Sequence, residues 1–480
     1  MPKSAVLHGS TAPEAAPRPP SVGWALAGLS LSMLLPSLGI SIANVALPTL
    51  AGAFDASFQA VQWVVLAYLL ATTTLVVGAG RLGDLTGRRR LLLGGILLFT
   101  AASLLCGAAP ALWVLIAARA AQGLGAAVMM ALTMAFVGET VPKERTGSAM
   151  GLLGTMSAIG TALGPSVGGL LIAGPGWRAV FLVVVPLGLV TLLLAYRHLP
   201  SGRAVPAGER PRFDRVGTLL LALALAAYAL AMTVGRGRFG LLGLALLAAA
   251  GAGAVLFVLV ERRTAAPLVR PAMFRDGALS ASLAMSALVS TVMMATLVVG
   301  PFYLSGALGL PAAAVGLVLS VGPLVTALTG VPAGRIVDRL GTRRTTVAGL
   351  AAIATGCLAL SAAPTGLGTV GYLVPIVVVT VGYATFQTAN NTGVMADVPA
   401  DRRGLVSGVL NLSRNLGLVT GTAVMGAVFS AAAGTADLAA ARPAAVAAAM
   451  RTTFTVAAAL IASALVLAAL GRAAAARAQR

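Results

Sequence analysis

The sequence predicts an all-α membrane protein of about fourteen spanning helices, arranged as two related halves. Three observations carry that expectation. The 480 residues are 58% hydrophobic and only 10% charged, too few charges to cover a soluble chain of this length. The charges also come in clusters, separated by uncharged runs near the ~20 residues that cross a bilayer. Finally, the segment from Gly80 to Arg90 (Gly-Arg-Leu-Gly-Asp-Leu-Thr-Gly-Arg-Arg-Arg) recurs 254 residues later, from Gly334 to Arg344. Duplication within an apolar chain is a mark of membrane carriers built from repeats.

Taken in order, residues 1–21 are rich in Pro and Ala and read as a disordered cytoplasmic tail. The apolar run that follows starts at Val22 and is too long for the core of a cleavable signal. Residues 22–199 hold six apolar runs, the N-terminal half, and residues 279–471 hold six more, the C-terminal half. Between them residues 200–278 form a polar connector with two extra spans, and residues 472–480 read as a basic tail. A second repeat supports the halves. Val141-Pro142-Lys143-Glu144-Arg145-Thr146-Gly147 is echoed 257 residues on, from Val398 to Gly404. The same displacement carries Gly160, Gly164 and Gly169 onto Gly417, Gly421 and Gly426.

Charge sets the expected orientation. With both termini cytoplasmic, 26 of the 33 Lys and Arg fall on the inner side and five on the outer, with Arg119 and Arg414 inside spans. That asymmetry is the positive-inside pattern. The net charge of +20 is therefore read as membrane topology and not as a nucleic-acid surface. Cys106 and Cys357 lie within apolar runs and read as packing residues. No nucleotide-binding loop, metal-ligand cluster or catalytic constellation is visible. An enzyme is not expected, nor a cofactor, and energy for any transport must come from a gradient. The abundance of Ala, Gly and Arg points to a GC-rich bacterial source, hence a multi-pass protein of the bacterial cytoplasmic (inner) membrane.

Four stretches carry a family resemblance. They are the Gly80–Arg90 loop; Arg119 with Gln122-Gly123; the run Gly160-Thr161-Ala162-Leu163-Gly164-Pro165-Ser166-Val167-Gly168-Gly169; and Asn44-Val45-Ala46-Leu47-Pro48. In these the chain resembles the major facilitator superfamily, in particular its fourteen-helix drug:proton antiporter branch. The resemblance implies the major facilitator fold and efflux of small amphipathic compounds by alternating access, with protons as counter-ion. One departure stands out. Where that branch carries an aspartate in the first helix, this chain has Gly39, and none of its thirteen acids falls at the centre of a predicted span. A carrier for an anionic or neutral metabolite is therefore kept as an alternative, as is a transport-inactive membrane sensor.

The candidate residues follow. The resemblance implies a cytoplasmic gate at Gly80, Arg81, Gly83, Asp84, Gly87 and Arg88, echoed by Gly334, Asp338 and Gly341. Asp84 is expected near the N-terminus of the helix that starts at Gly404, where the helix dipole favours an anion. The plainer reading is a topological anchor, with arginines holding the loop inside. Gly160, Gly164, Pro165, Gly168 and Gly169 read as close helix packing, and through the resemblance as the antiporter motif. Arg119 and Arg414 each need a polar cavity or a partner, since a buried arginine costs at least ~2.5 kcal/mol in a span. They are candidates for proton or substrate handling, or, for either, a structural tie to backbone carbonyls. Cavity candidates are Ser41, Asn44, Gln62, Tyr68, Gln122, Tyr303, Tyr383, Gln387, Asn390 and Asn391. The two extra spans carry no ionisable residue in their apolar parts and read as a spacer, with a partner interface as the alternative.

Overall fold

The computed structural model describes residues 22–140, 146–200, 214–234, 240–264, 271–396, 403–435 and 441–478. The expected tail 1–21 and the repeated loops at 141–145 and 397–402 lie outside the described residues. Fourteen helices among the described residues are long and apolar enough to cross a membrane. In the first half these are α1 (Val22–Ala53), α2 (Phe58–Thr86), α3 (Arg88–Ala108), α4 (Leu112–Thr140), α5 (Thr146–Ala173) and α6 (Trp177–His198, interrupted at Val183). The inserted pair is α7 (Arg215–Val234) and α8 (Leu241–Arg263). The second half holds α9 (Gly277–Gly306), α10 (Ala312–Leu340), α11 (Thr342–Ala362) and α12 (Gly368–Ala396). It ends with α13 (Arg403–Thr420, a π-helical turn at Gly421–Met425, then Gly426–Ala433) and α14 (Pro443–Ala478).

Several boundaries differ from expectation. The last apolar run reads from about Thr452 to Leu470, but α14 begins at Pro443, nine residues earlier, because the alanine-rich stretch around Ala444–Ala449 favours helix as strongly as any residue. Its helix also continues to Ala478, through most of the segment expected as a basic tail. The π-helical turn in α13 was not foreseen.

An even number of spans puts the start of α1 and the end of α14 on the same face, called here the basic face because the arginine-rich connections lie there. The α2–α3 connection is a single residue, Gly87, at φ +93°. Gly341 makes the matching turn between α10 and α11 at φ +78°. An L side chain is strained at such angles, which explains why both repeated loops keep glycine there.

Within each half the helices meet through glycines. A Cβ on Gly125 in α4 would lie 2.7 Å from Gly95 O in α3, and a Cβ on Gly382 in α12 would lie 2.7 Å from Gly349 O in α11. These pairs are related by the two repeat displacements, Gly95 to Gly349 by 254 and Gly125 to Gly382 by 257, so the duplication extends to packing. The two halves meet most tightly toward the far face. Gly169 of α5 packs on Ala312 O and Gly316 of α10, with 2.6 and 3.0 Å left for a Cβ. Gln62 of α2 donates to Thr422 O at 2.9 Å and Gln59 to Ser430 Oγ at 2.5 Å, both on α13. Phe58 stands edge-on to Phe302 at 4.7 Å and tilted against Phe429 at 5.8 Å. Toward the basic face, Gly154 of α5 and Gly330 of α10 line open room between the halves, where a Cβ on either meets nothing within 4 Å; a Cβ on Gly80, Gly334 or Gly408 also enters open space.

The inserted helices are unequal. α7 packs on the first half through Trp63 Nε1, which donates to Thr233 Oγ1 at 3.1 Å. It meets the second half through Leu221 and Leu225, which cluster with Leu283, Val409, Leu410 and Leu412. α7 therefore covers the α2–α13 seam. α8 rests on α7 and leaves most of its surface outward.

The contrast between the two faces can be tested. Gly316→Val forces a side chain into Pro165 O and Gly169 Cα, an overpacking that typically costs about 1–3 kcal/mol. Gly80→Ala enters open space. The first is expected to lower the melting temperature of detergent-purified protein and the second to leave it unchanged; equal melting for both defeats the packing account.

Candidate functional site

A cavity of about 340 Å³ lies between the halves. α5 contributes Gly154, Ser157, Ala158 and Thr161, and α13 contributes Arg414 and Leu418. The remainder comes from α9, α10 and α12, including Met293, Leu319, Thr326, Ile376, Tyr383, Gln387 and Thr388. Tyr372 and Leu319 stand toward its far end, and Gly154 and Gly330 toward the basic face, where the halves part. The walls are apolar with scattered hydroxyls, one amide and two phenols. Arg414 is the only charged side chain among the described residues that line it. It is exposed, and no hydrogen bond or ion pair to another described residue holds it.

The cavity falls mainly in the second half because of residue choice at matching positions. The repeat displacements pair Tyr68 with Gly322, Arg119 with Ile376 and Ser157 with Arg414. In the first half Tyr68 and Arg119 fill the space among α1, α2 and α4; in the second half Gly322 and Ile376 leave it open and line the cavity. Ser157, opposite in role to Arg414, is tied to Ser37 at 2.6 Å.

Arg119 is therefore a different kind of arginine. It has no exposed surface. Its Nε donates to Val64 O at 2.8 Å, and Nη1 donates to Gly39 O at 3.1 Å and to Gln122 Oε1 at 2.5 Å. Its guanidinium lies 4.3 Å from the Tyr68 ring centroid. One nitrogen, Nη2, has no partner among the described residues. Gln122 passes the chain on to Ser103 Oγ at 2.7 Å. The residue that faces Arg119 where the resembled branch has an aspartate is thus Gly39, offering a backbone carbonyl.

Of the ten cavity candidates read from the sequence, Tyr383 and Gln387 line the cavity. Tyr303 stacks on Tyr372 at 5.9 Å, beside a smaller pocket that also contains Arg451. The others are placed elsewhere. Ser41 donates to Gly160 O at 3.3 Å within the α1–α5 contact, and Asn44 donates to Ile40 O on its own helix. Tyr68 donates to Pro36 O at 3.0 Å, and Gln122 is held by Arg119 and Ser103. Gln62 belongs to the far-face closure. Asn390 donates to Ser282 O at 3.4 Å, and Asn391, half-buried, is not on the cavity wall. The common reason is that amides and phenols within spans find backbone carbonyls on neighbouring helices as readily as water. The lining hydroxyls Thr161, Thr296, Thr326 and Thr380 were missed. Threonines in spans usually bond their own helix, as Thr326 and Thr380 do, so they carried no signal.

Among the gate candidates, Arg81 and Asp84 lie on α2 but their side chains are outside what is described, as is the start of α13. Gly80 and Gly334 face open space, Gly83 packs on Leu132, and Arg88 opens α3. Asp338 is exposed near the end of α10. In the glycine-rich run of α5, Gly160 and Gly164 abut α1 at Leu34 and Ser41, Gly168 abuts Ile42, and Gly169 and Pro165 meet α10. That run therefore joins one half internally and, at its far end, joins the two halves.

Comparison with known proteins agrees with this architecture. Residues 29–422 match the family model of the Major Facilitator Superfamily. The chain belongs to this superfamily. Within it, the chain is 34% identical over 416 residues to multidrug resistance protein Stp of Mycobacterium tuberculosis, covering 84% of this chain and 75% of Stp. It is 30% identical to multidrug efflux pump LfrA of Mycolicibacterium smegmatis, covering 86% and 82%. In fold it is similar to a bacterial homologue of the human lysosomal transporter Spinster, solved inward-facing and unoccupied. That match has a TM-score of 0.68 and 16% identity, covering 95% of this chain and 98% of the other.

The two arginines are expected to respond differently to truncation. Arg119→Ala strands buried carbonyls and the Gln122 amide; each lost bond to a charged group is worth about 1.5–3 kcal/mol. Arg414→Ala removes a group without partners among the described residues. Melting in detergent is expected to fall sharply for the first and stay within a degree or two for the second. A reversed order overturns the assignment of structural and free arginine.

Proposed function

We propose that this superfamily member is a secondary transporter that exports small amphipathic compounds from the bacterial cytoplasm by alternating access. The observation that carries the reading is the cavity: apolar and hydroxyl-lined, set between two halves that are closed on the far face and parted on the basic face. With the basic face cytoplasmic, as the arginine distribution favours, this is the inward-facing, loading state. The multidrug names of Stp and LfrA support the same cargo class. Energy comes from the transmembrane electrochemical gradient, with proton entry as the expected exchange. The protein is a carrier and does no covalent chemistry on its cargo.

In the opposite state the basic ends close and the far-face contacts release. Asp84 and Asp338 act there as the gate: each sits on the last turns of a helix whose basic end must approach the other half, and a helix N-terminus receives a carboxylate favourably. The exposure of Asp338 and the open space at Gly80 and Gly334 are what an unmade gate presents. A ligand shifts such an equilibrium only by its differential affinity for the two states, so losing a gate contact slows turnover without abolishing binding.

The experiment is flux in proteoliposomes with and without an imposed pH gradient. Wild-type protein is expected to concentrate an amphipathic dye, and Asp84→Asn to cut that rate about tenfold while inserting and binding normally. A ligand that binds without crossing the membrane would instead favour a sensor. Unchanged transport by Asp84→Asn ends the gate assignment.

A further inference from the structure

We propose that the cavity selects anionic amphipathic compounds, such as aromatic carboxylates and sulfonates, and that Arg414 is the residue that binds the anion. The inference deepens the transport reading above and rests on it.

The cavity shows no acid among its described lining residues. A cationic cargo in an apolar site needs a carboxylate, because a desolvated charge without a counter-charge is expensive. None of the thirteen acids lies at the centre of a span, and none is among the described residues lining the cavity. Gly39 holds the place where an acid could have served, and its carbonyl is engaged by Arg119.

Next is what the cavity contains. Arg414 is a permanent cation in the membrane interior, which is costly unless water or a ligand answers it. The protein has shown, at Arg119, how it neutralises such a cost when the role is structural: carbonyls, an amide and an aromatic face enclose the group. Arg414 has none of these and opens into the cavity. A guanidinium fork without partners among the described residues fits a carboxylate or sulfonate through two parallel hydrogen bonds. Tyr383 and Gln387 on α12 line the same cavity and supply a flat apolar surface and further donors. The smaller pocket on the other side of Tyr372 repeats the sign: Arg451 is the one charged residue among the described residues that line it.

The test uses full-length protein in proteoliposomes, with fluorescein as the anionic probe and ethidium as a cationic aromatic probe. Wild-type protein is expected to move fluorescein and not ethidium. Arg414→Gln is expected to raise the KM for fluorescein about tenfold or more, the usual cost of a lost charge-assisted bond. Arg414→Lys should recover part of it and Arg414→Glu should abolish fluorescein movement, with melting and elution profile unchanged in each. Ethidium movement that is insensitive to Arg414→Gln overturns the anion assignment and leaves the transport reading standing. Fluorescein movement with the same KM in Arg414→Gln overturns the role of Arg414. If neither probe moves in wild-type liposomes, the transport reading falls and this inference with it.

Discussion

The structure depends on how closely two helix backbones approach where the halves meet. At Gly169 and Gly316 there is no room for even a methyl group between α5 and α10. In a bilayer, where lipid tails compete on equal terms with apolar side chains, such small-residue contact is a main source of helix association. Across the bundle the α2–α13 contact is made differently, by Gln59, Gln62 and a cluster of phenylalanines. Glycine contact on one seam and polar bonding on the other fix the far face. Both lie toward one end of the helices, so the other end can part without breaking either half. α7, touching α2 and α13 together, adds a lateral brace on the polar seam only.

Duplication built the frame, and departure from it built the site. The glycine pairs Gly95–Gly125 and Gly349–Gly382 show the two halves packing by the same rule. Inside that frame one half is filled and the other is hollow. Tyr68 and Arg119 occupy the first; Gly322 and Ile376 stand at the matching positions of the second and yield the cavity. The first half thereby becomes a rigid wall, stitched by an arginine that no ligand reaches. The second half lines most of the cavity. Arg119 has its bonds made by the fold, whereas Arg414 faces the cavity with no bond to another described residue.

Much of this was legible in the sequence because membrane solvent imposes coarse rules. Span count, the paired loops and the repeat displacement follow from hydropathy, charge and glycine placement, and the fourteen helices match them. The side-chain assignments were less legible for a physical reason. A polar residue in a span must satisfy its bonds, but sequence does not say whether a carbonyl or water satisfies them. Arg119 and Arg414 look alike in sequence, yet the first is enclosed and the second is open. Gln62 read as a cavity amide and proves to bond across the far-face closure. The helix extensions of α14 were hidden by alanine, which favours helix without being apolar enough to mark a span.

The absence of a central acid changes what energises the cycle. A carrier that exchanges a cationic cargo for protons needs a carboxylate that serves each in turn, and this chain places Gly39 and a tied arginine where that group would stand. An anionic cargo removes the requirement. Leaving an inside-negative compartment, each negative charge gains about 2.3 kcal/mol per 100 mV, enough for a gradient of roughly 50-fold without any proton bound to the protein. A fixed cation in the cavity then has a second use. When empty, Arg414 adds a positive charge to the moving element; when loaded, the charge is cancelled. On the anion proposal, the loaded carrier crosses the barrier between states with less electrostatic cost than the empty one, and charge matching inside the cavity would take the place of the proton exchange that the drug-antiporter reading expects.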